Sequence, residues 1–183
     1  MSAKVLVVCT ANVCRSPMAA GLLASHLRAA GHSVIVTSAA TQSVRLGVDR
    51  VAVDELRERG IDISGHQPRA FDRAMLEAEG ADLIITMTRA HLRVVATTEQ
   101  TAWPRTFTFR ELVRRASAVA ATASWSSWLT ALNADRSSKD LIGDSDLDDI
   151  ADPYGAGAAA IHRTVTELEQ LTRQLVALAP WPD

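Results

Sequence analysis

Short apolar runs alternate along this chain with stretches of helical periodicity. Val5-Leu6-Val7-Val8 reads as a strand buried on both faces, and after a polar loop the pattern turns helical from about Pro17 to Ala30. Ser16 is suited to cap that helix, Pro17 to open it and Gly31 to close it. A second strand is expected at Val34-Ile35-Val36, then a helix near Asp49–Arg59 with Val48, Ala52 and Leu56 on one face and Gly60 at its end. Asp72 can cap a short helix that stops at Gly80, Leu83-Ile84-Ile85 is the next buried strand, and Thr88 can cap the helix after it. Thr106-Phe107-Thr108-Phe109 predicts a fourth strand, with helix from Glu111 onward. Ile161, Val165, Leu168, Leu171, Leu175 and Leu178 form the stripe of a final amphipathic helix.

Strands of this length separated by helices imply right-handed crossovers. The expected fold is therefore α/β, three layers, with a short twisted parallel sheet of about four strands and helices on both faces. Ligands in such folds bind beyond the carboxyl ends of the strands. The whole of 1–183 reads as one domain, with an atypical insertion at about 114–150: an alanine-rich helical part, then the acidic run Asp144-Ser-Asp-Leu-Asp-Asp149. Trp125 and Trp128, three apart, suit packing on one side of a helix. The acidic run reads as a solvated loop.

Composition narrows the function. With 48% apolar residues the chain can build one sizeable core, and a formal charge of −2 argues against a nucleic-acid or anionic-lipid surface. Only Cys9 and Cys14 are present, which excludes a disulfide framework and the common zinc spacings; no metal or cofactor is expected. Four aliphatics at Val5–Val8 are too few for a secretory core of roughly 7–15 residues, and the uncharged stretch Ala116–Ala134 lacks the Leu/Ile/Phe density of a membrane span. A reducing, cytoplasmic setting without membrane insertion follows as the expectation.

The chemistry concentrates at the first strand-to-helix turn, Cys9-Thr10-Ala11-Asn12-Val13-Cys14-Arg15-Ser16-Pro17. A helix N-terminus attracts an anion, and five residues between Cys9 and Arg15 suffice to curl backbone N–H groups around a tetrahedral oxyanion. Thr10, Ala11, Asn12, Val13 and Cys14 would form that phosphate-binding nest, and the planar fork of Arg15 can hold two phosphoryl oxygens. The same surroundings favour a thiolate at Cys9, below the free value of ~8.5. There is no Gly-Lys-Ser/Thr, and no glycine before Gly21, so nucleotide-binding glycine motifs are absent. A proton donor for the leaving group is needed, and Asp152 in the Asp-Pro-Tyr-Gly turn is the leading candidate.

With these residues assembled, the sequence resembles the low-molecular-weight protein tyrosine phosphatases over nearly its whole length. The motifs are Cys-x5-Arg-Ser-Pro, Ser38-Ala39-Ala40-Thr41 after the second strand, Ser64-Gly65-His66, Met87, and Asp152-Pro153-Tyr154. The resemblance implies Cys9 as nucleophile, Arg15 as phosphate clamp and Asp152 as general acid and base. It further implies that Asn12 holds the loop through Ser16, Ser38 and His66, that Tyr154 lines the mouth, and that Cys14 can form a reversible disulfide with Cys9. No cofactor would be needed, and the partner would be a phosphorylated protein.

The sequence departs from that pattern at Ala11, where the family has glycine; if the position needs positive φ, alanine costs on the order of 1–2 kcal/mol. Thr88 replaces an acidic residue, and the loop before Asp152 is longer than usual. Met87-Thr88 and the Asp-Pro-aromatic-Gly ending also resemble the protein arginine phosphatase branch, which carries Thr at the position of Val13. An aliphatic Val13 suits an aryl ring better, so phosphotyrosine is the expected substrate. A small-thiol-dependent arsenate reductase and a catalytically impaired phosphate-binding protein are the alternatives from other classes. Of the histidines, His66 reads as a hydrogen-bonding residue, and His26, His32, His91 and His162 as solvated or incidental.

Overall fold

The computed structural model describes residues 2–42, 46–77, 79–119, 124–137, 139 and 142–182. Four parallel strands, β1 (Lys4–Cys9), β2 (Ile35–Ala40), β3 (Leu83–Thr86) and β4 (Thr106–Thr108), form one sheet in the order β2-β1-β3-β4. Alternation along β1 divides the interior. Val5, Val7 and Cys9 join the larger core cluster together with Leu83, Ile85 and Phe107. Leu6 and Val8 face the smaller cluster with Ile84, Leu76 and Val95.

Helices α1 (Arg15–Ala29), α2 (Arg50–Arg57), α5 (Phe109–Ala118) and α7 (Ala158–Leu178) pack together on the first side. Helices α3 (Arg73–Leu76) and α4 (Arg89–Thr98) contribute Leu76 and Val95 to the second, giving the expected three layers. A 3₁₀ turn at Gln100–Arg105 leads into β4. The predicted caps at Asp72 and Thr88 are present, and Asp49, expected only as the approximate start of its helix, caps α2 in the same way, each side chain accepting from a backbone N–H in the first turn. Gly80 is needed for space: a Cβ there would lie 2.4 Å from the Ala74 carbonyl oxygen.

Three boundaries differ from expectation. Strand β2 runs on to Ala40, so Ser38, Ala39 and Ala40 lie within it rather than after it. Phe109 opens α5 because the Thr108 hydroxyl accepts from Glu111 N, ending the strand one residue early. Helix α1 begins at Arg15, and Ser16 is not its cap. The serine hydroxyl is used elsewhere, as described below.

In the expected insertion, 120–123, 138, 140 and 141 lie outside the described residues. Helix α6 (Trp125–Leu132) places Trp128 and Leu132 in the larger core, and the Trp125 ring lies 5.2 Å from Trp128 and 5.0 Å from Trp181. Arg136 closes the segment: it donates to Glu111, Trp103 O and Thr106 O while its guanidinium stacks on Trp103. Among the described residues, no helix is long and apolar enough to cross a membrane.

Candidate active site

The loop between β1 and α1 sits at the carboxyl edge of the sheet, and its carbonyls face outward. Cys9 O accepts from Thr41 N, Thr10 O from Gln42 N, Val13 O from Asp49 N and Cys14 O from Met18 N. Asn12 O accepts from His66 Nε2 at 3.0 Å. Because a trans peptide sets N–H opposite C=O, the amides that follow these carbonyls, those of Thr10, Ala11, Val13, Cys14 and Arg15, turn the other way. The turn itself is made at Asn12, whose φ of 56° is the one positive value at a non-glycine among the described residues. Ala11 therefore carries no left-handed strain, and the departure from glycine there is without that cost.

Asn12 is fully buried, and every polar atom of its side chain is used. Nδ2 donates to Ser16 Oγ and Ser38 Oγ, both at 2.9 Å. Oδ1 accepts from His66 Nε2 at 3.1 Å and Arg69 N at 3.2 Å. Since both partners of His66 Nε2 are acceptors, that nitrogen carries the proton; burial, followed by the charge of Arg69, outweighs the bond to Asn12 O and holds the ring below its ordinary pKa. Ser16 Oγ accepts from Asn12, which leaves its own proton to point at Cys9 Sγ, 2.9 Å away. Asn12 N donates to the same sulfur at 3.3 Å. This is why Ser16 does not cap α1.

Arg15, almost wholly buried, is clamped at three points. Nη1 donates to Ile150 O at 3.1 Å, and Nη2 donates to Thr10 Oγ1 at 3.2 Å and to Asp152 Oδ2 at 2.5 Å. The Asp152 carboxylate is 49% exposed, so it joins the cation at the open side of the site. Tyr154 is tied in through its backbone, N–H donating to Asp152 Oδ1, while its ring stands exposed. Cys9 and Cys14 are free and buried. Burial above all, then the charges of Asp49, Asp152 and Cys9, pushes the Cys14 thiol up to about 12.

A family model for low molecular weight phosphotyrosine protein phosphatases matches residues 4–121. The chain belongs to that family. It is 29% identical over 172 residues to the protein-arginine-phosphatase of Bacillus subtilis, covering 93% of each chain. A low molecular weight protein-tyrosine-phosphatase of Escherichia coli is 36% identical over 92 residues, 50% of this chain and 58% of the relative. Among solved structures, a low molecular weight protein tyrosine phosphatase from T. tengcongensis has 28% identity and a TM-score of 0.73, over 96% of this chain and 99% of that one. A mutant of B. subtilis YwlE has 26% identity and the same TM-score of 0.73, over 96% and 97%.

Two parts of this phosphatase-family site run against the sequence reading. His91 is neither solvated nor incidental: it is buried, with Nε2 at 2.9 Å from Thr10 Oγ1 and Nδ1 at 2.9 Å from Thr88 Oγ1. Burial, then the nearby Arg15 charge, lowers its pKa to about 4. Nor is the acidic run a solvated loop throughout. Asp148 is buried between Arg89 Nη2 at 2.7 Å and Arg114 Nη1 at 2.6 Å, and Asp149 Oδ1 accepts from the first amide of α4 at 2.7 Å. These bonds strap the segment just before Ile150 onto α4 and α5. Five histidines without a metal spacing gave no signal for His91; the capping signal at Thr88, three residues upstream, is the feature that could have pointed to it.

Proposed function

We propose that this protein is a metal-independent phosphatase acting on phosphotyrosine in proteins through a phosphocysteine intermediate. The observation that carries the reading is the convergence of Cys9 Sγ, with two donors aimed at it, and an Arg15–Asp152 bridge of 2.5 Å at the N-terminus of α1. Donors directed at sulfur favour an anionic nucleophile there. The inward amides of residues 10, 11, 13, 14 and 15 and the guanidinium would hold the three non-bridging oxygens. An arriving phosphoryl group competes with Asp152 for Nη2, freeing the carboxyl to face the leaving oxygen.

In the first step the thiolate attacks phosphorus, the P–O bond to the tyrosyl oxygen breaks, and Asp152 gives that oxygen its proton. In the second, water attacks the phosphocysteine, Asp152 takes its proton, and the P–S bond breaks to release phosphate and restore the thiolate. Asn12, Ser16, Ser38 and His66 hold the loop; Tyr154 stands beside the mouth. Hydrolysis of p-nitrophenyl phosphate in EDTA, lost in Cys9→Ser, is the expected result. Undiminished turnover by that variant removes Cys9 as nucleophile.

A second substrate, phosphoarginine, is favoured by one observation: the similarity to the B. subtilis arginine phosphatase extends over 93% of both chains. Val13 argues the other way, because an aliphatic side chain offers a guanidinium no hydrogen bond. Relative kcat/KM on phosphotyrosine and phosphoarginine peptides separates the two.

A further inference from the structure

Behind the Arg15 clamp runs a hydrogen-bonded chain that catalysis as described above does not use. Arg15 Nη2 donates to Thr10 Oγ1, Thr10 Oγ1 lies 2.9 Å from His91 Nε2, and His91 Nδ1 lies 2.9 Å from Thr88 Oγ1. It spans three elements: the oxyanion loop, the first turn of α4 and the residue that caps α4. We propose that His91 is a positioning residue for phosphoryl transfer, fixing the Thr10 hydroxyl so that it braces the Arg15 guanidinium. The inference rests on the reading of Arg15 as the phosphoryl clamp.

A capping role accounts for only half of the geometry. The cap of α4 is made by Thr88 Oγ1, which accepts His91 N–H at 3.3 Å, and it needs nothing from the imidazole Nε2. The bond to Thr10 crosses 81 residues of sequence and reaches the loop that faces the substrate. Of the three groups on Arg15, Ile150 O and Asp152 come from the C-terminal loop, and Thr10 is the partner within the oxyanion loop itself. Thr10 has one rotatable bond to its hydroxyl, and His91 removes that freedom. A neutral imidazole suits the place. It keeps one N–H and one lone pair, so it can donate to one hydroxyl and accept from the other. It also does so without adding a second cation beside Arg15.

The test uses side chains of graded reach. A glutamine amide extends about as far as Nε2 of histidine, and an asparagine amide only about as far as Nδ1. Steady-state kcat/KM on p-nitrophenyl phosphate and the competitive Ki of inorganic phosphate would be measured for His91→Gln, His91→Asn, His91→Leu, Thr10→Val and the Thr10→Val/His91→Leu pair. His91→Leu and Thr10→Val should each lower kcat/KM about 10-fold and raise Ki, and the pair should lose no more than about 3-fold beyond either single change. His91→Gln should recover most of the activity and His91→Asn should not. A cap-only role predicts the reverse order, Asn above Gln, with losses that multiply in the double variant; that result overturns the proposal. So does wild-type kcat/KM in a folded His91→Leu protein. Failure of the underlying reading looks different: Cys9→Ser would then turn over as fast as the parent, whatever happens at His91.

Discussion

Replacing Asp148 with alanine tests whether the acidic segment ahead of Asp152 is an anchored strap. The Asp148 side chain is 3% exposed and bonds Arg89 and Arg114, whose side chains are 22% and 43% exposed. Burial alone pushes this carboxyl up, but hydrogen bonds from Arg114 and Arg89 and their charges outweigh it, leaving the pKa below the ordinary value. Breaking a fully buried pair costs about 3–5 kcal/mol, because the remaining charge is stranded. Here both arginines can recover part of their hydration, which discounts the loss to about 2–3 kcal/mol. With a urea slope of about 2 kcal/mol/M, the unfolding midpoint of Asp148→Ala should fall by about 1–1.5 M. The activity should fall with it, measured as kcat at a temperature where the variant is folded, since Ile150 O on Arg15 and Ile150 N on Met87 O follow directly after the strap. Asp144→Asn is the control: its carboxylate is 81% exposed, and its pairing with Arg93 should be worth less than about 0.5 kcal/mol. A midpoint for Asp148→Ala within about 0.2 M of the parent would refute the reasoning. The sign in pH is also fixed. A depressed carboxyl contributes stability above its unfolded value of about 3.9 and loses it as pH falls through the folded value. Asp148→Asn should therefore be the variant less sensitive to acid at that end of the curve.

Asp152→Ala should lower kcat by about 10²–10⁴-fold on a phenyl phosphate and much less on p-nitrophenyl phosphate, whose leaving group needs little protonation; equal losses on both would remove its role as acid. His91, with a folded pKa of about 4 against about 6.5 unfolded, contributes stability that is complete above pH 6.5 and falls as pH drops toward 4, by about 2 kcal/mol at pH 5. Denaturant melts at pH 8 and pH 5 should show this loss in the parent and a flatter profile in His91→Gln. At Asn12, alanine should be less stable than glycine by about 1 kcal/mol, because both lose the side-chain network and only glycine accepts the positive φ freely; thermal unfolding of the two variants checks the order.

The strands, the helices and the three layers were open to reading because their causes are local; the order β2-β1-β3-β4 came only with the structure. Valine and isoleucine runs such as Val5–Val8 mark two-sided burial, and Asp49, Asp72 and Thr88 announce helix starts within four residues. Cys9, Arg15 and Asn12 were legible for the same reason, lying in one nine-residue loop. What stayed hidden depends on distance along the chain. By its local pattern Ser16 looks like a cap, and only the family resemblance put it in the Asn12 network, where its hydroxyl meets Asn12 and the sulfur seven residues before it. Nothing near His91 tells of Thr10, 81 positions away, and nothing in Asp144–Asp149 tells that one carboxylate of four is buried under two arginines while Asp144 is solvated. Periodicity cannot separate those residues; only the packing of α4 and α5 against the returning chain does.

The bond from Arg15 to Ile150 O joins positions 135 apart. During synthesis the sulfur and guanidinium leave the ribosome more than a hundred residues ahead of the loop that completes their surroundings. A nascent or truncated chain ending before 150 would carry Cys9 and Arg15 without Ile150 O or Asp152, the two groups that the later chain brings to the guanidinium. Such fragments should be inert toward phosphate esters, with activity expected only once the chain has emerged past Asp152.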